Sequence, residues 1–144
     1  MLKENVKLNR MRNVKIFNCG VSNHNGWGKL YISELNKAAH SMKIIENISN
    51  FEKIKLVSIK DVLKKVNGNI DFLKIDCEGC EYEVLSSLSD DDFRRIKNIV
   101  MEYHDLDDKR NCKKLCKFLS EKGFEIEKTN GFYSMIYAKN KKFS

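Results

Sequence analysis

The sequence predicts an α/β fold in which a mostly parallel β-sheet ends in an antiparallel hairpin. Short apolar runs rich in Val, Ile and Phe alternate with segments of helical periodicity along the whole chain. This alternation is typical of an α/β layer fold. The last two apolar runs flank Asn130-Gly131, a dipeptide that favours a tight hairpin turn. Ligands of such sheets bind beyond the carboxyl ends of the parallel strands, so a site is expected where a strand runs into polar residues.

The N-terminal half is expected to supply the end of a helix and three strands. Residues 23–26 are a turn signal between two β-forming runs, which predicts that these runs form a hairpin-like unit. Ile54 and Leu56 alternate with lysines, which predicts the third strand. The predicted elements are a helix end at 1–10, strands at 13–22, 29–33 and 53–59, and a loop with a short helix at 34–50.

The C-terminal half is expected to alternate helices with strands and to close with the hairpin. Ser58 and Ser89 are predicted helix N-caps, and three aspartates after Ser89 suit the positive start of a helix. Gly123 is expected to end the last helix. The predicted elements are helices at 61–66, 80–88, from 90 onward and at 107–122, and strands at 70–77, 98–104, 124–129 and 133–139.

Length and composition indicate a single domain, residues 1–144, that builds its own core. The net charge is +7, and the basic residues are mostly lysines scattered among acidic residues. This distribution predicts a solvated surface and makes a nucleic-acid-binding module the less favoured alternative. The charged first ten residues and five cysteines, an odd number, predict reduced thiols in a cytoplasmic protein. No apolar run approaches the length that crosses a bilayer, so no membrane partner is expected.

The segment DFLKIDCEGCEYEVL concentrates carboxylates at a predicted strand-to-helix turn. Asp76, Glu78 and Glu81 surround Gly79, and a glycine there lets the backbone bend or lets a ligand approach closely. Carboxylates at this edge could bind a cation, orient a substrate hydroxyl or accept its proton. An alternative of equal weight is that Glu78 and Glu81 only favour the positive start of the next helix.

A second polar pair ends the predicted strand at 98–104. Side chains alternate along a strand, so Glu102 and His104 are expected on the same face. His104 could act as a general base near neutral pH, and Glu102 could orient it or bind a substrate group. Taken alone, a histidine that bonds a neighbouring loop is the better interpretation of His104.

The cysteines allow a zinc site to be considered, from Cys77 and Cys80 together with Cys112 and Cys116. Three of the four fall on apolar helical faces, where cysteine is usually a small core residue. Acidic neighbours also disfavour a thiolate in a redox Cys-x-x-Cys pair. We therefore expect no metal ligands in this chain.

The carboxylate segment resembles the signature of the FkbM methyltransferase family, in which an apolar strand runs into Lys-x-Asp-x-Glu-Gly-x-Glu and a helix. The strand that ends in Glu102 and His104 resembles the family's next strand, and LVSIKDVL resembles the strand and helix before the signature. The resemblance runs in order over nearly the whole chain. The residues that match the signature are Lys74, Asp76, Glu78, Gly79 and Glu81.

The resemblance implies a class I, Rossmann-like fold and methyl transfer from S-adenosylmethionine, most often to a sugar or small-molecule hydroxyl. It implies that Asp76 lies near the sulfonium or the acceptor, and that Glu78, Glu102 and His104 line the acceptor side. Either His104 or Asp76 would deprotonate the attacking hydroxyl. Glu81 is assigned to substrate binding.

The sequence departs from the family in lacking a first strand and its Gly-rich cofactor loop before residue 13. The family's two missing strands would lie between the strands at 13–22 and 70–77, so an open, partial sheet is expected. Cofactor contacts are then expected from Asn18, Cys19 and Gly20 together with Asp76. Gly20 falls where the family has a small residue, which implies a close approach of adenine.

This departure leaves three interpretations. The chain is expected to be an N-terminally truncated methyltransferase domain that acts on a small-molecule or sugar acceptor. Alternatively it is an inactive fragment, or a half that needs a partner chain or a second copy to complete the sheet. Intact signature residues without the cofactor loop are compatible with each of the three.

Overall fold

The computed structural model describes residues 1–32, 50–77, 79–129 and 134–144, without the side chains of 128 and 129. Strands and short helices alternate along these ranges, as the sequence predicts, and a single 3₁₀ turn closes the chain. The elements are α1 (Leu2–Leu8), β1 (Gly20–Ser22), β2 (Gly26–Tyr31), β3 (Phe51–Ser58), α2 (Ile59–Leu63), β4 (Leu73–Ile75), α3 (Glu81–Ser86), α4 (Asp90–Arg95), β5 (Asn98–Glu102), α5 (Cys112–Glu121), β6 (Phe124–Thr129), β7 (Met135–Asn140) and the 3₁₀ turn Lys141–Phe143.

The strands form two mixed sheets, in the orders β1-β3-β2 and β4-β5-β7-β6. β1 is parallel to β3 and β4 is parallel to β5, whereas the pairings of β2 with β3, β5 with β7 and β6 with β7 are antiparallel. The α/β class is confirmed, and the arrangement is consistent with part of a Rossmann-like fold. The prediction of a mostly parallel sheet is wrong, because apolar patterning indicates a strand without specifying its partner or direction.

The C-terminal hairpin is confirmed by the pairing of β6 with β7, from Phe124 opposite Asn140 to Thr129 opposite Met135. Its predicted turn at Asn130-Gly131 lies outside the described residues, and so does the predicted loop at 34–50 except for its last residue.

The predicted strand at 13–22 is wrong in its extent, because only Gly20–Ser22 is a strand. The predicted hairpin-like unit is also wrong, since β1 and β2 both pair with β3 and not with each other. Val14 and Phe17 are good β formers, but a strand also needs backbone partners. β1 pairs with β3 only from Leu56 to Ser58, so nothing described here pairs residues 13–19.

The predicted strand at 70–77 is shortened in the same way, to Leu73–Ile75 with one isolated bridge between Ile70 and Ile96. Each shortened strand is the edge of its sheet: β1 has β3 as neighbour, and β4 has β5. Among the described residues, β1 and β4 are not joined. The interruption between the two sheets lies where the resemblance to the FkbM family predicts two further strands.

Local capping sets the helix boundaries. The Ser58 hydroxyl accepts a hydrogen bond from Asp61 N at 3.1 Å, so α2 begins at Ile59. Ser89 forms a capping box with Asp92 at α4. Both predicted caps are confirmed. The last long helix begins at Cys112 rather than at 107, because Asn111 caps it.

The core lies on the second sheet and the helices that cover it. Phe93 of α4 contacts Phe118 and Phe124 edge-on, at ring-centroid distances of 5.7 and 6.1 Å. Burial of this cluster of apolar side chains stabilises the second sheet, which has four strands against three in the first. The most buried residues of this core are Leu85, Phe93, Ile96, Ile99, Met101, Leu119, Phe124 and Ile136.

Within the described ranges, no helix is long and apolar enough to span a membrane.

Asn140 connects the end of β7 to the end of α4 inside this core. Its amide nitrogen donates to the carbonyls of Phe93 and Ile96, at 3.1 and 2.8 Å, and its amide oxygen accepts from Lys142 N at 3.0 Å. The residue is 4% exposed. Water cannot replace these bonds at a buried site. The Asn140 amide supplies the donor to the Ile96 carbonyl and a second donor to the Phe93 carbonyl, which also accepts from Ile96 N at 3.1 Å.

We expect Asn140→Ala to lower the free energy of unfolding by about 2–3 kcal/mol, because the buried Ile96 carbonyl loses its side-chain donor and the Phe93 carbonyl loses one of its two donors. Asn98→Ala is the matched control, since its amide donates to the Asp71 carbonyl at 2.9 Å on the exposed surface. The control should cost about 0.5 kcal/mol. Urea unfolding followed by circular dichroism measures both, and equal losses would contradict this role of Asn140.

Candidate functional site

An open cleft of about 760 Å³ lies between the start of β1, the first half of β3 and the end of β4. Asn18, Cys19 and Gly20 lie along one side of its lining, and Asp76 contributes from the chain after β4. These are the four residues for which the sequence predicts cofactor contacts. The fold brings them to one place although more than fifty residues separate the two segments.

The cleft exists because β1 is short. In the parallel register Gly20 lies opposite Leu56, so residues just before Gly20 diverge from β3 instead of pairing with it. The sequence predicts Asn18 and Cys19 at the end of a long strand, but they precede β1 and lie at its amino end. Asp76 directly follows β4 and lies at its carboxyl end, as predicted.

The cleft also contains residues that the sequence did not indicate, namely Trp27, Lys53 and Lys55. Trp27 is 64% exposed, and the Lys53 ammonium lies 5.1 Å from the centroid of its ring. Trp27 is the single tryptophan of the chain. Its position between two glycines was the one feature of the sequence that could have drawn attention to Trp27. Only the register of β2 with β3 places it near Asp76.

Asp76 is held by Lys74, whose ammonium lies 2.8 Å from one carboxylate oxygen. Both side chains are about half exposed, so solvent screens the pair and it contributes little to stability. The ion pair instead orients the Asp76 carboxylate. Lys74 and Asp76 are two residues apart at the end of a strand, so their side chains lie on the same side and the contact fixes the direction of the carboxylate.

Cys77 also lines the cleft but is not a thiolate. Hydrogen bonding with the Cys80 side chain, followed by burial, raises its pKa far above the ordinary range. The charges of Cys80 and Glu81 raise it further. The raised pKa keeps the Cys77 thiol protonated at neutral pH, which opposes redox exchange by this pair.

Three of the other four cysteines behave as core residues. Cys80 and Cys112 are 4% and 8% exposed within the apolar core, and Cys116 packs against it. The Cys112 and Cys116 sulfurs are 3.8 Å apart. No group of three or more His, Cys, Asp or Glu residues able to hold a metal ion occurs in the described parts of the chain.

A second polar cluster centres on Glu81, which is fully buried at the first position of α3. Its Oε1 accepts a hydrogen bond from Gly79 N at 3.0 Å and lies 2.9 Å from His104 Nδ1. Gly79 has φ +95°, a left-handed conformation that strains other residues. Among the atoms described, Glu81 Oε2 is buried and has no partner.

The contact with Glu81 fixes the orientation of His104, whose side chain is 28% exposed. Nδ1 is then the protonated nitrogen facing the carboxylate, and in the neutral ring Nε2 carries the basic lone pair. Tyr82 donates from its hydroxyl to the His104 carbonyl at 3.2 Å. Burial and the nearby Asp105 charge raise the pKa of Tyr82, so this hydroxyl remains a donor.

The structure places Glu102 and His104 differently from the sequence prediction. Glu102 ends β5 opposite Met135, and Glu81 rather than Glu102 contacts His104. His104 lies beyond β5, so the predicted shared strand face does not extend to it. Glu78 lies outside the described residues. The predicted substrate contact of Glu81 stays a prediction.

We expect Glu81→Ala to lower the free energy of unfolding by about 2–4 kcal/mol, because Gly79 N–H loses its acceptor and a buried cavity forms. Glu83→Ala is the matched control on the exposed side of the same helix and should cost below about 0.5 kcal/mol. Urea unfolding measures both. A cost for Glu81→Ala no greater than the control would contradict the buried cluster.

Comparison with protein-family models identifies the family. Residues 2–126 match a family model described as the methyltransferase FkbM domain. The matched range includes every residue of the cleft and of the Glu81–His104 cluster, and it ends within β6. No curated protein and no solved structure matches the chain.

Proposed function

The chain belongs to the FkbM methyltransferase family, and we propose that it transfers a methyl group from S-adenosylmethionine to a sugar or small-molecule hydroxyl. The observation that carries this proposal is the cleft, in which Asn18, Cys19 and Gly20 meet Asp76. Family membership supports methyl transfer in general. The donor and the acceptor class are the proposed part.

The residues of the cleft fit such a donor. Its volume of about 760 Å³ falls within the range of roughly 300–1,000 Å³ that small-molecule sites occupy. The exposed Trp27 ring offers a stacking face for a purine, and Gly20 lets the backbone approach it closely. The Asp76 carboxylate would accept hydrogen bonds from the amino acid or ribose part, or lie near the sulfonium.

Bound S-adenosylmethionine would supply the electrophilic methyl group. The chain's own contribution is orientation of the acceptor and removal of its hydroxyl proton. We assign the proton to His104 Nε2, because Glu81 occupies Nδ1 and stabilises the imidazolium that forms. Asp76 is the alternative base, and Glu78 and Glu102 are proposed to line the acceptor side.

The proposed cellular setting is the cytoplasm. Cys80 and Cys112 are buried as thiols in the apolar core, and unmodified core cysteines suit a reducing compartment.

We expect isothermal titration with S-adenosylhomocysteine to show micromolar binding that Asp76→Ala weakens at least about tenfold, the effect of losing one charged hydrogen-bond partner. The fluorescence of Trp27 should change in the same titration, because its ring lines the cleft. Asp71→Ala is the matched control, an exposed aspartate whose partner is Lys97 at 2.7 Å. A folded sample that binds nothing would overturn the proposed cofactor site.

A second candidate is a half-protein that another chain, or a second copy, completes. The observation that favours it is the interruption between the two sheets, where the outer sides of β1 and β4 carry no strand within the described structure. Unpaired edges with apolar neighbours are templates for pairing with another chain.

We expect the purified chain to associate, with an average mass in light scattering that rises with concentration toward a dimer or larger species, because pairing satisfies both edges. A monodisperse monomer at every concentration, with a single cooperative unfolding transition, would contradict the half-protein.

A further inference from the structure

The pairing of β2 with β3 gathers aromatic and basic side chains on one face of the first sheet. Residues directly opposite each other in an antiparallel pair point to the same face, and residues two apart along a strand share that face. Trp27 lies opposite Lys55, Lys29 opposite Lys53, and Tyr31 opposite Phe51. We name these six residues the aromatic–lysine face.

Side-chain contacts join five of the six residues into one surface, and Lys55 lies opposite Trp27 in the strand register. The Lys29 ammonium lies 4.2 Å from the centroid of the Phe51 ring, and the Lys53 ammonium lies 5.1 Å from that of Trp27. The rings of Tyr31 and Phe51 are 6.0 Å apart. Each contact joins one strand to the other on this side of the sheet.

The two faces of this sheet are opposite in character. Leu56 of β3 is 5% exposed, and a Cβ added at Gly28 would come within 2.8 Å of it, so that face is closely packed. On the aromatic–lysine face, Trp27 and Phe51 are 64% and 43% exposed. Large exposed aromatic side chains set among charges of one sign are characteristic of an interaction surface.

We propose that the aromatic–lysine face binds single-stranded nucleic acid. Three lysines and no carboxylate belong to the face, which gives it the charge complementary to phosphate. The groove beside Trp27 and Lys55 adds Lys64 and Lys65. Lys64 is partly neutralised by Asp61 at 3.2 Å, so the basic contribution there comes mainly from Lys65.

The aromatic rings favour a nucleic acid over other polyanions. Each nucleotide offers a flat base for a ring and a phosphate for a lysine, and on this face rings and ammonium groups alternate within 4.2–5.1 Å. Trp27 and Tyr31 are four residues apart on one strand, about 14 Å, which is room for two or three bases. Bases can stack on protein rings only when they are unpaired, so the fitting ligand is single-stranded.

The lysine spacing along the sequence does not reveal this surface. Lys29 and Lys53 are separated by twenty-four positions, Lys29 stands between Gly28 and Leu30, and Lys53 follows the acidic Glu52. The sequence therefore favours a solvated surface, and the strand register supplies the reason to propose otherwise.

The test is fluorescence anisotropy of a labelled oligothymidylate of about twenty nucleotides, titrated with the whole chain at several salt concentrations. We expect binding with a slope of log affinity against log salt near −2, which corresponds to three lysine–phosphate contacts at about −0.7 each. The triple variant K29T/K53T/K55T should lose that slope and bind at least tenfold more weakly. The matched control K113Q/K114Q/K117Q removes the same charge from α5 and should bind like the wild type.

Phe51→Ala tests the stacking separately, since Phe51 belongs to the face but does not line the cofactor cleft. We expect it to weaken oligothymidylate binding by on the order of tenfold without altering S-adenosylhomocysteine binding. Circular dichroism verifies that each variant is folded.

Three results would overturn the proposal: no anisotropy change at low salt, an equal loss in the α5 control, or an unchanged affinity in Phe51→Ala. Heparin fragments or acidic lipid vesicles that bind as tightly as oligothymidylate, and independently of Phe51, would also overturn it in favour of a general polyanion surface. None of these outcomes depends on methyl transfer, so the proposal of nucleic-acid binding and the proposal of methyl transfer can each fail without the other.

Discussion

The antiparallel pairing of β5 with β7 is the interaction on which the rest of the described structure depends. It joins five residue pairs, from Asn98 opposite Lys139 to Glu102 opposite Met135. Ile99, Met101 and Ile136 are fully buried along it, so backbone hydrogen bonds and apolar burial reinforce each other in the same strands. β4 and the hairpin partner β6 are aligned on its two sides, and the helices cover it.

The parallel pairing of β4 with β5 positions the polar groups of the site. β4 is parallel to β5, with Leu73 opposite Ile99, so the residues that follow the two strands leave the sheet at the same edge. Asp76 follows β4 and His104 follows β5. The turn at Gly79 then brings Glu81 back to His104, which links the start of α3 to the end of β5 through one buried carboxylate.

The first sheet is built around β3, its central strand, which has a neighbouring strand on each side. β3 pairs with β2 from Phe51 to Leu56 and with β1 from Leu56 to Ser58, so the two pairings overlap only at Leu56. Ahead of Leu56 the β1 side diverges, and the cleft opens there. The same strand therefore forms one wall of the proposed cofactor cleft and half of the aromatic–lysine face, and Trp27, Lys53 and Lys55 border both.

The sequence by itself determined what is local. Ser58 and Ser89 marked helix starts because a hydroxyl acts on amides two or three residues away, and the alternation of Ile54 and Leu56 with lysines marked the third strand. The motif from Lys74 to Glu81 indicated the family, and the match over residues 2–126 confirmed it. Only the tertiary structure decided strand length, strand direction and partnership, because these depend on which distant backbone lies alongside. For the same reason the pairing of Glu81 rather than Glu102 with His104, and the meeting of Lys29 with Phe51, appear only in the folded chain.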